Sequence, residues 1–314
     1  MISKIGVLGA GTMGHGIAET FAIYGYDVNL FETNPTILNN VKEIMKKELE
    51  VLAEEDLITH EDIVLILDKI KLFSDLKTAI EDRDYVIEAI PEILELKQDI
   101  FMLLDKHCPE HTILASNTSS LRLDDIMAKV TTERKKRVMI NHWYNPAHLM
   151  PIAELSFFGN MDEEIYKEVE KLYISIGKQV VKVLKDVPGL VANRIQQGVA
   201  REVFSLMEMG VASPEDIDKA LKFGPAFRYA TTGQLEIADF GGLDIWCTVG
   251  DNLLSVMDNS QQANKLLREK VIEGKLGLKS GEGFYKYSEA DVNEIKKKFT
   301  KKLITQLKAS KFYT

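Results

Sequence analysis

An α/β fold, with a mostly parallel sheet followed by an all-α C-terminal domain, is what this sequence predicts. Three observations carry that expectation. Short β-rich runs alternate with amphipathic helical stretches through the first part of the chain. The first of those runs ends in a glycine-rich turn that leads into a helical pattern. Beyond "KDVPGL" the texture becomes almost wholly helical. The boundary is placed there, giving domains 1–187 and 188–314 joined by a short connector.

The elements follow in order. Candidate strands are "KIGVLG", "DVNLFE", "KIKLF", "YVIEAI", "TILAS", "RVMINHWY", "IAELSFF" and "QVVKVLK". Helical stretches such as Ile93 to His107 separate several of them, the order expected of a sheet with helices on both faces. In the second part, "SPEDIDKAL" reads as a helix start, with Ser213 as N-cap, Pro214 in the first turn and acids after it.

Composition narrows the function classes. The 314 residues are 45% hydrophobic and 28% charged, ordinary for a globular protein of two domains. A net charge of −9 argues against a nucleic-acid partner, which calls for a basic face. "MISKIGVLGAG" lacks the pattern of a signal peptide, and no apolar run approaches the ~18 residues of a membrane span. Cys108 and Cys247 make neither a disulfide framework nor a zinc signature. The expectation is a cytoplasmic protein with a small-molecule partner, no nucleic acid and no membrane.

The first strand ends in Gly9-Ala10-Gly11-Thr12-Met13-Gly14, a G-x-G-x-x-G between strand and helix. Gly9 permits the tight turn, Gly11 lets the backbone approach a pyrophosphate, and Gly14 lets helix and strand pack closely. The helix N-terminus then faces the phosphates. Glu32 ends the second strand about 20 residues on, where an acid accepts from a ribose diol and repels a 2′-phosphate. The sheet is therefore of the Rossmann type and the cofactor NAD rather than NADP. FAD is the main competing dinucleotide, and a ligand-free glycine turn the bland reading. "EAIPE" and "ASNTSS" follow the fourth and fifth strands, where open α/β sheets bind ligands. Ser116, Asn117, Thr118, Ser119 and Ser120 form a dense donor and acceptor cluster, or else cap the next helix.

"NHWYNPAHLMPIAE" places His142 at the end of the sixth strand and Glu154 in the seventh. Neighbouring strands can bring the two together, and a carboxylate fixes an imidazole's tautomer. Such a pair serves as general base for a hydroxyl, and as general acid in reverse. The competing readings are a core histidine satisfied by a buried glutamate, and a metal held by His142, His148 and Glu154, whose spacings match no familiar ligand pattern.

With those residues in view, the chain resembles the L-3-hydroxyacyl-CoA dehydrogenase family along nearly its whole length. The shared stretches are "GVLGAGTMGHGIA", "EAIPE", "ILASNTSSL", "HWYNPAHLMPIAE", "VPGLVANRI", "ASPEDIDKAL", "LEIADFGGLD" and "KSGEGFYKY". The resemblance implies an NAD-binding domain, then a helical domain that makes a homodimer. It implies His142 as catalytic base with Glu154 as its partner. It sets Ser119 and Asn193 at the substrate's 3-oxygen. Glu92 and Lys97 would lie near the nicotinamide ribose, with Asn117, Asn145 and Lys279 also at the cofactor. The implied reaction is reversible hydride transfer between C3 of a short-chain 3-hydroxyacyl-CoA and NAD.

Three departures concern the substrate handle. "LAEEDLI" puts Glu54, Glu55 and Asp56 where CoA-using members carry lysines, with Lys46 and Lys47 nearby. Pro151 stands where those members have a lysine between the catalytic His and Glu. "FRYATTGQ" replaces an "HPMGP"-like stretch and resembles relatives acting on free 3-hydroxy acids, such as carnitine and gulonate dehydrogenases. Arg228 within it suits a bidentate clamp on a free carboxylate, or an ordinary salt bridge. A non-enzymatic binding module is the remaining reading, against which the intact His142, Glu154, Ser119 and Asn193 speak. In the tail, Ile295, Phe299, Leu303, Ile304 and Leu307 form one apolar stripe opposite lysines, the pattern of a docked helix or, less readily, of a membrane-surface helix.

Overall fold

The computed structural model describes residues 2–288 and 292–313. Contacts divide the chain into two compact units, Met1–Val191 and Ala192–Thr314.

The first unit runs β1 (Lys4–Leu8), α1 (Gly14–Ile23), β2 (Asp27–Phe31), α2 (Pro35–Glu54), α3 (Asp62–Asp68), β3 (Ile70–Phe73), α4 (Leu76–Ile80) and β4 (Tyr85–Glu88). It continues with α5 (Leu94–His107), β5 (Ile113–Ser116), α6 (Leu123–Ile126), α7 (Thr132–Lys135), β6 (Val138–Trp143), β7 (Ile152–Ser156), α8 (Glu163–Ser175) and β8 (Gln179–Val183). The strands form one eight-stranded sheet in the order β3-β2-β1-β4-β5-β6-β7-β8. Only the β6–β7 pair is antiparallel. The expectation of a mostly parallel α/β sheet followed by helices is therefore met.

Burial explains the sheet's strands. β4, β5 and β6 are buried at every position, as parallel strands covered on both faces must be. One face packs Leu8, Val86, Leu114, Val138 and Ile140 against Phe101 and Leu104 of α5. Alternate residues of β6 point the other way. There Asn141 donates to the Tyr85 hydroxyl at 2.7 Å, and the Trp143 indole donates to the Tyr173 hydroxyl at 2.9 Å. These bonds tie β6 to β4 and α8 through buried groups. α2 starts at the Asn34 cap, whose side chain accepts from Thr36 and Ile37 N–H, with Pro35 in its first turn. Its apolar stripe of Val41, Met45, Leu49 and Leu52 is buried.

The second unit is helical: α9 (Ala192–Glu208), α10 (Pro214–Phe223), α11 (Pro225–Tyr229), α12 (Gln234–Gly241), α13 (Leu243–Leu253), α14 (Lys265–Ile272) and α15 (Val292–Ser310). The Ser213 side chain caps α10 by accepting from Asp216 N–H. Large apolar side chains stay uncovered here, among them Leu235 (86%), Phe240 (81%) and Ile272 (85%). In α15 the tail stripe divides: Ile304 is fully buried, while Phe299 is exposed. Among the described residues no helix is long and apolar enough to cross a membrane.

Candidate active site

The strand order reverses at β1, which lies between β2 and β4. At such a switch point the helices leave to opposite faces and open a crevice beyond the strands' carboxyl ends. A cavity of about 640 Å³ lies there, within the range of small-ligand sites. Its lining includes Gly9, Gly11, Thr12, Met13, Glu32, Glu92, Lys97, Asn117 and Ser119. Gly14 lies just beneath, in the first turn of α1.

The three glycines have different reasons. Gly9 has φ +93°, and a Cβ on it would stand 2.8 Å from the Ala89 carbonyl oxygen. A Cβ on Gly14 would stand 1.7 Å from the Gly9 carbonyl oxygen, so the turn closes only without a side chain. A Cβ on Gly11 would meet nothing within 4 Å, leaving the turn's outer side open to a diphosphate. The Glu32 carboxylate accepts from Ala10 N–H at 2.9 Å and Asn34 N–H at 2.8 Å. It thereby stands fixed on the cavity wall with lone pairs to spare for a ribose diol. Glu32→Ala is expected to raise the KM for NAD and to narrow preference over NADP by about tenfold, ~1.4 kcal/mol, with kcat little changed. Steady-state kinetics with both cofactors checks this, and an unchanged NAD/NADP ratio would refute the role.

The loops after β4 and β5 are joined by buried charge. Lys97 is 1% exposed, and its ammonium lies 2.6 Å from Glu88 Oε1 and 3.2 Å from Glu92 Oε2. Glu88 is fully buried and also accepts from Ser116 Oγ at 2.7 Å and Ile90 N–H at 2.8 Å. Burial pushes the Glu88 carboxyl up against the pull of Lys97. Burial also pushes Glu92 up, but the Thr118 hydroxyl, Lys97 and Ser120 outweigh it and hold Glu92 below the usual carboxylate range. Glu92 accepts from Ser119 N–H and Ser120 N–H, both at 3.2 Å. The serine cluster is thus fastened to Glu92, whereas the position capping α6 is Arg122. Asn117 Oδ1 accepts from Trp143 N–H at 2.8 Å, tying the β5 loop to the end of β6.

His142 is the residue before Trp143 in β6, and the antiparallel register sets it directly opposite Glu154 of β7. His142 Nδ1 lies 2.8 Å from Glu154 Oε2, with Glu154 fully buried and His142 5% exposed. The second oxygen of Glu154 accepts from Val191 N–H at 2.9 Å. A carboxylate held on both oxygens can only accept from Nδ1, so the proton sits on Nδ1 and Nε2 keeps its lone pair. His142 and Tyr144 meet edge to face at 5.4 Å. Residues 144–151 join the two strands, and Lys178 holds this segment. Its buried ammonium donates to the Ala147 and Met150 carbonyls, both at 2.7 Å, and lies 4.4 Å from the Trp143 ring centroid. Burial pulls Lys178 down to about 7.

Of the other candidates, Asn145 lies exposed in that connecting segment. Asn193 stands in the first turn of α9, Arg228 in α11, and Lys279 in the turn between the bridged Gly277 and Glu282, all in the second unit. Arg228 is exposed, and among the described residues no ion pair engages it. Sequence reading missed Glu88 and Lys178. "VIEAI" reads as an apolar strand end, and a lone lysine before a strand carries no local mark. His148 lies in the joining segment, where its near neighbours are Glu19 and Glu48 rather than His142 and Glu154.

Residues 4–187 match the family model described as 3-hydroxyacyl-CoA dehydrogenase, NAD binding domain. Residues 189–287 match the model of that enzyme's C-terminal domain. A "Probable 3-hydroxybutyryl-CoA dehydrogenase" of Bacillus subtilis is 39% identical over 92% of this chain and 98% of its own length. The crystal structure of 5-formyl-3-hydroxy-2-methylpyridine 4-carboxylic acid 5-dehydrogenase, described as an NAD+ dependent dismutase, is similar with a TM-score of 0.91 and 29% identity, covering 100% of both chains. The (S)-3-hydroxybutyryl-CoA dehydrogenase of Ralstonia eutropha is similar with a TM-score of 0.73 and 31% identity, covering 92% of this chain and 100% of that one.

Proposed function

This chain belongs to the 3-hydroxyacyl-CoA dehydrogenase family of NAD-dependent oxidoreductases acting on CH–OH groups, and from that premise we propose that it interconverts a short-chain 3-hydroxyacyl-CoA and its 3-oxo form. The observation that carries the chemistry is the His142–Glu154 pair at 2.8 Å, one residue from the main-chain bond that ties β6 to the cavity-lining Asn117. Bound in the cavity lined by Gly9, Gly11 and Glu32, NAD would supply the hydride acceptor for the substrate's C3. The residues of this chain do the rest. Glu32 orients the adenosine ribose, and Gly11 admits the diphosphate. His142 Nε2 takes the hydroxyl proton as the hydride leaves and returns it in the reverse direction. Glu154 holds the tautomer that leaves Nε2 free to accept, and steadies the imidazolium once it forms. Ser119 and Asn193 are assigned to the 3-oxygen, and Asn145 and Lys279 to the cofactor. Residues 1–187 and 188–314 are taken as the cofactor and helical domains. The uncovered apolar side chains of the helical unit support a homodimer through that unit.

The CoA thioester rests on the 39% identity to the Bacillus relative. One observation favours a free carboxylate substrate instead: a solved structure alike over the whole of both chains, with a TM-score of 0.91, is an enzyme whose named substrate is a carboxylic acid without CoA. Exposed Lys46 and Lys47 on α2 suit CoA phosphates, while Glu54, Glu55 and Asp56 at the end of the same helix suit their exclusion. Arg228 then becomes the carboxylate clamp. The test compares kcat/KM for NADH oxidation with acetoacetyl-CoA and with free acetoacetate and larger free 3-oxo acids. The proposal expects acetoacetyl-CoA to win by at least about 100-fold, ~2.7 kcal/mol. A free acid winning by that margin overturns the thioester and leaves the hydride chemistry standing. No turnover with any of them overturns both.

A further inference from the structure

Three elements far apart in sequence bring ligand-type side chains to one buried point away from the hydride chemistry. α1 carries His15 and Glu19, α2 carries Glu48, and the segment joining His142's strand to Glu154's carries His148. One ligand atom from each of Glu19, Glu48 and His148 lies within 4.8 Å of the others. His15 Nε2 stands 3.2 Å from Glu48 Oε2. The approach is close: a Cβ on Gly16 would be 3.5 Å from His148 Nδ1.

The convergence sets two carboxylates side by side, and the ion-pair contact in it, His15 with Glu48, does not reach Glu19. Glu19 is fully buried, and while it and Glu48 are both ionised neither of its carboxylate oxygens has a hydrogen-bond partner among the described residues. A buried carboxylate without a partner costs several kcal/mol, so something must neutralise it. The tautomer of His15 adds a second signal. Its Nδ1 lies 2.7 Å from the Gly11 carbonyl oxygen, which can only accept. Nδ1 therefore carries a proton, so Nε2 can donate to the Glu48 carboxylate only when the ring is charged, and a neutral ring turns its Nε2 lone pair toward the cluster instead. Lys178, the nearby cation, already spends its ammonium on the Ala147 and Met150 carbonyls.

We propose that Glu19, Glu48 and His148, with His15 at the edge, form a binding site for one divalent cation of the zinc or manganese class. Two carboxylates and one or two imidazoles, without thiolates, are the donors such ions take, and imidazole nitrogen disfavours calcium and magnesium. The role is structural. The ion fastens α1, whose first turn carries the glycine loop, to α2 and to the segment between His142 and Glu154. One site thereby braces the cofactor turn and the acid–base hairpin together.

The test uses the full-length protein stripped with chelator and dialysed against zinc or manganese ions, followed by metal analysis after gel filtration and by melting curves. The proposal expects close to one ion retained per chain and a rise in melting temperature that chelator reverses. His148→Gln, a change at a partly exposed position, is expected to weaken retention at least tenfold with the circular dichroism spectrum unchanged. Glu19→Gln is expected to abolish retention. Two results overturn the site: no ion retained with melting indifferent to metal and chelator, or retention that His148→Gln leaves unchanged. The first means that Glu19 and Glu48 share a proton instead, and the second that surface groups such as His60, His107 or Cys247 hold the ion.

Discussion

His142→Gln is expected to lower kcat by about 10²–10⁴ while NADH binding stays as it is, because glutamine keeps the volume and loses the proton acceptor. Glu154→Gln is expected to fall nearly as far for a different reason. The Val191 N–H at 2.9 Å claims the amide oxygen, so the amide NH₂ turns toward His142 Nδ1. Nδ1 must then become the acceptor and Nε2 the donor, which puts a proton where the base's lone pair belongs. The double variant should therefore be scarcely worse than either single one, since the two residues act as a unit. Single-turnover hydride transfer, with NADH fluorescence titration alongside, measures both quantities. Unimpaired turnover in His142→Gln would sink the mechanism.

Lys97→Met is expected to destabilise the protein by about 3–5 kcal/mol at neutral pH, because it strands the fully buried Glu88 carboxylate. The sign of the pH dependence follows. Glu88 already titrates above its ordinary value in the folded chain, and without Lys97 it titrates higher still. A carboxyl whose folded pKa is raised binds more protons folded than unfolded, so stability falls as pH rises from the unfolded value toward the folded one. The variant should thus be least damaged near pH 5 and most damaged near pH 8. Adding Glu88→Gln should recover much of the loss, since an amide needs no counter-ion. Urea unfolding of the wild type, the two single variants and the double variant across that pH range checks it. A loss independent of pH and not relieved by Glu88→Gln would show that Lys97 acts by packing alone.

The fold was readable because its signals are local. Each of β1 to β8 lies within a short apolar run that sequence reading names, and α10 begins at the very Ser213–Pro214 step that capping chemistry requires. The glycine turn was readable because its spacing is local and Gly14 is set by the Gly9 carbonyl within it, although the carbonyl that crowds Gly9 belongs to Ala89 beyond β4. The candidate site was half readable. His142 and Glu154 could be nominated as residue types, but their pairing depends on β7 running antiparallel to β6 after residues 144–151. A shift of one residue in that register would send Glu154 to the opposite face.

Periodicity, turn chemistry and motif spacing by themselves determined the α/β class, the NAD-type turn and the acid at Glu32. Tertiary packing decided the rest. Glu88 sits in an apolar strand, and the reach of Lys97 from α5 supplies the counter-charge for its burial, beside the Ser116 hydroxyl and Ile90 N–H. Lys178 matters because β8 lies beside β7, which brings it under the segment that carries His148. Glu19, Glu48 and His148 occupy three separate elements and meet only when α1, α2 and that segment close on one another. Local signals act over one or two turns of chain, whereas these groups converge because a shared core leaves their elements no other place to pack.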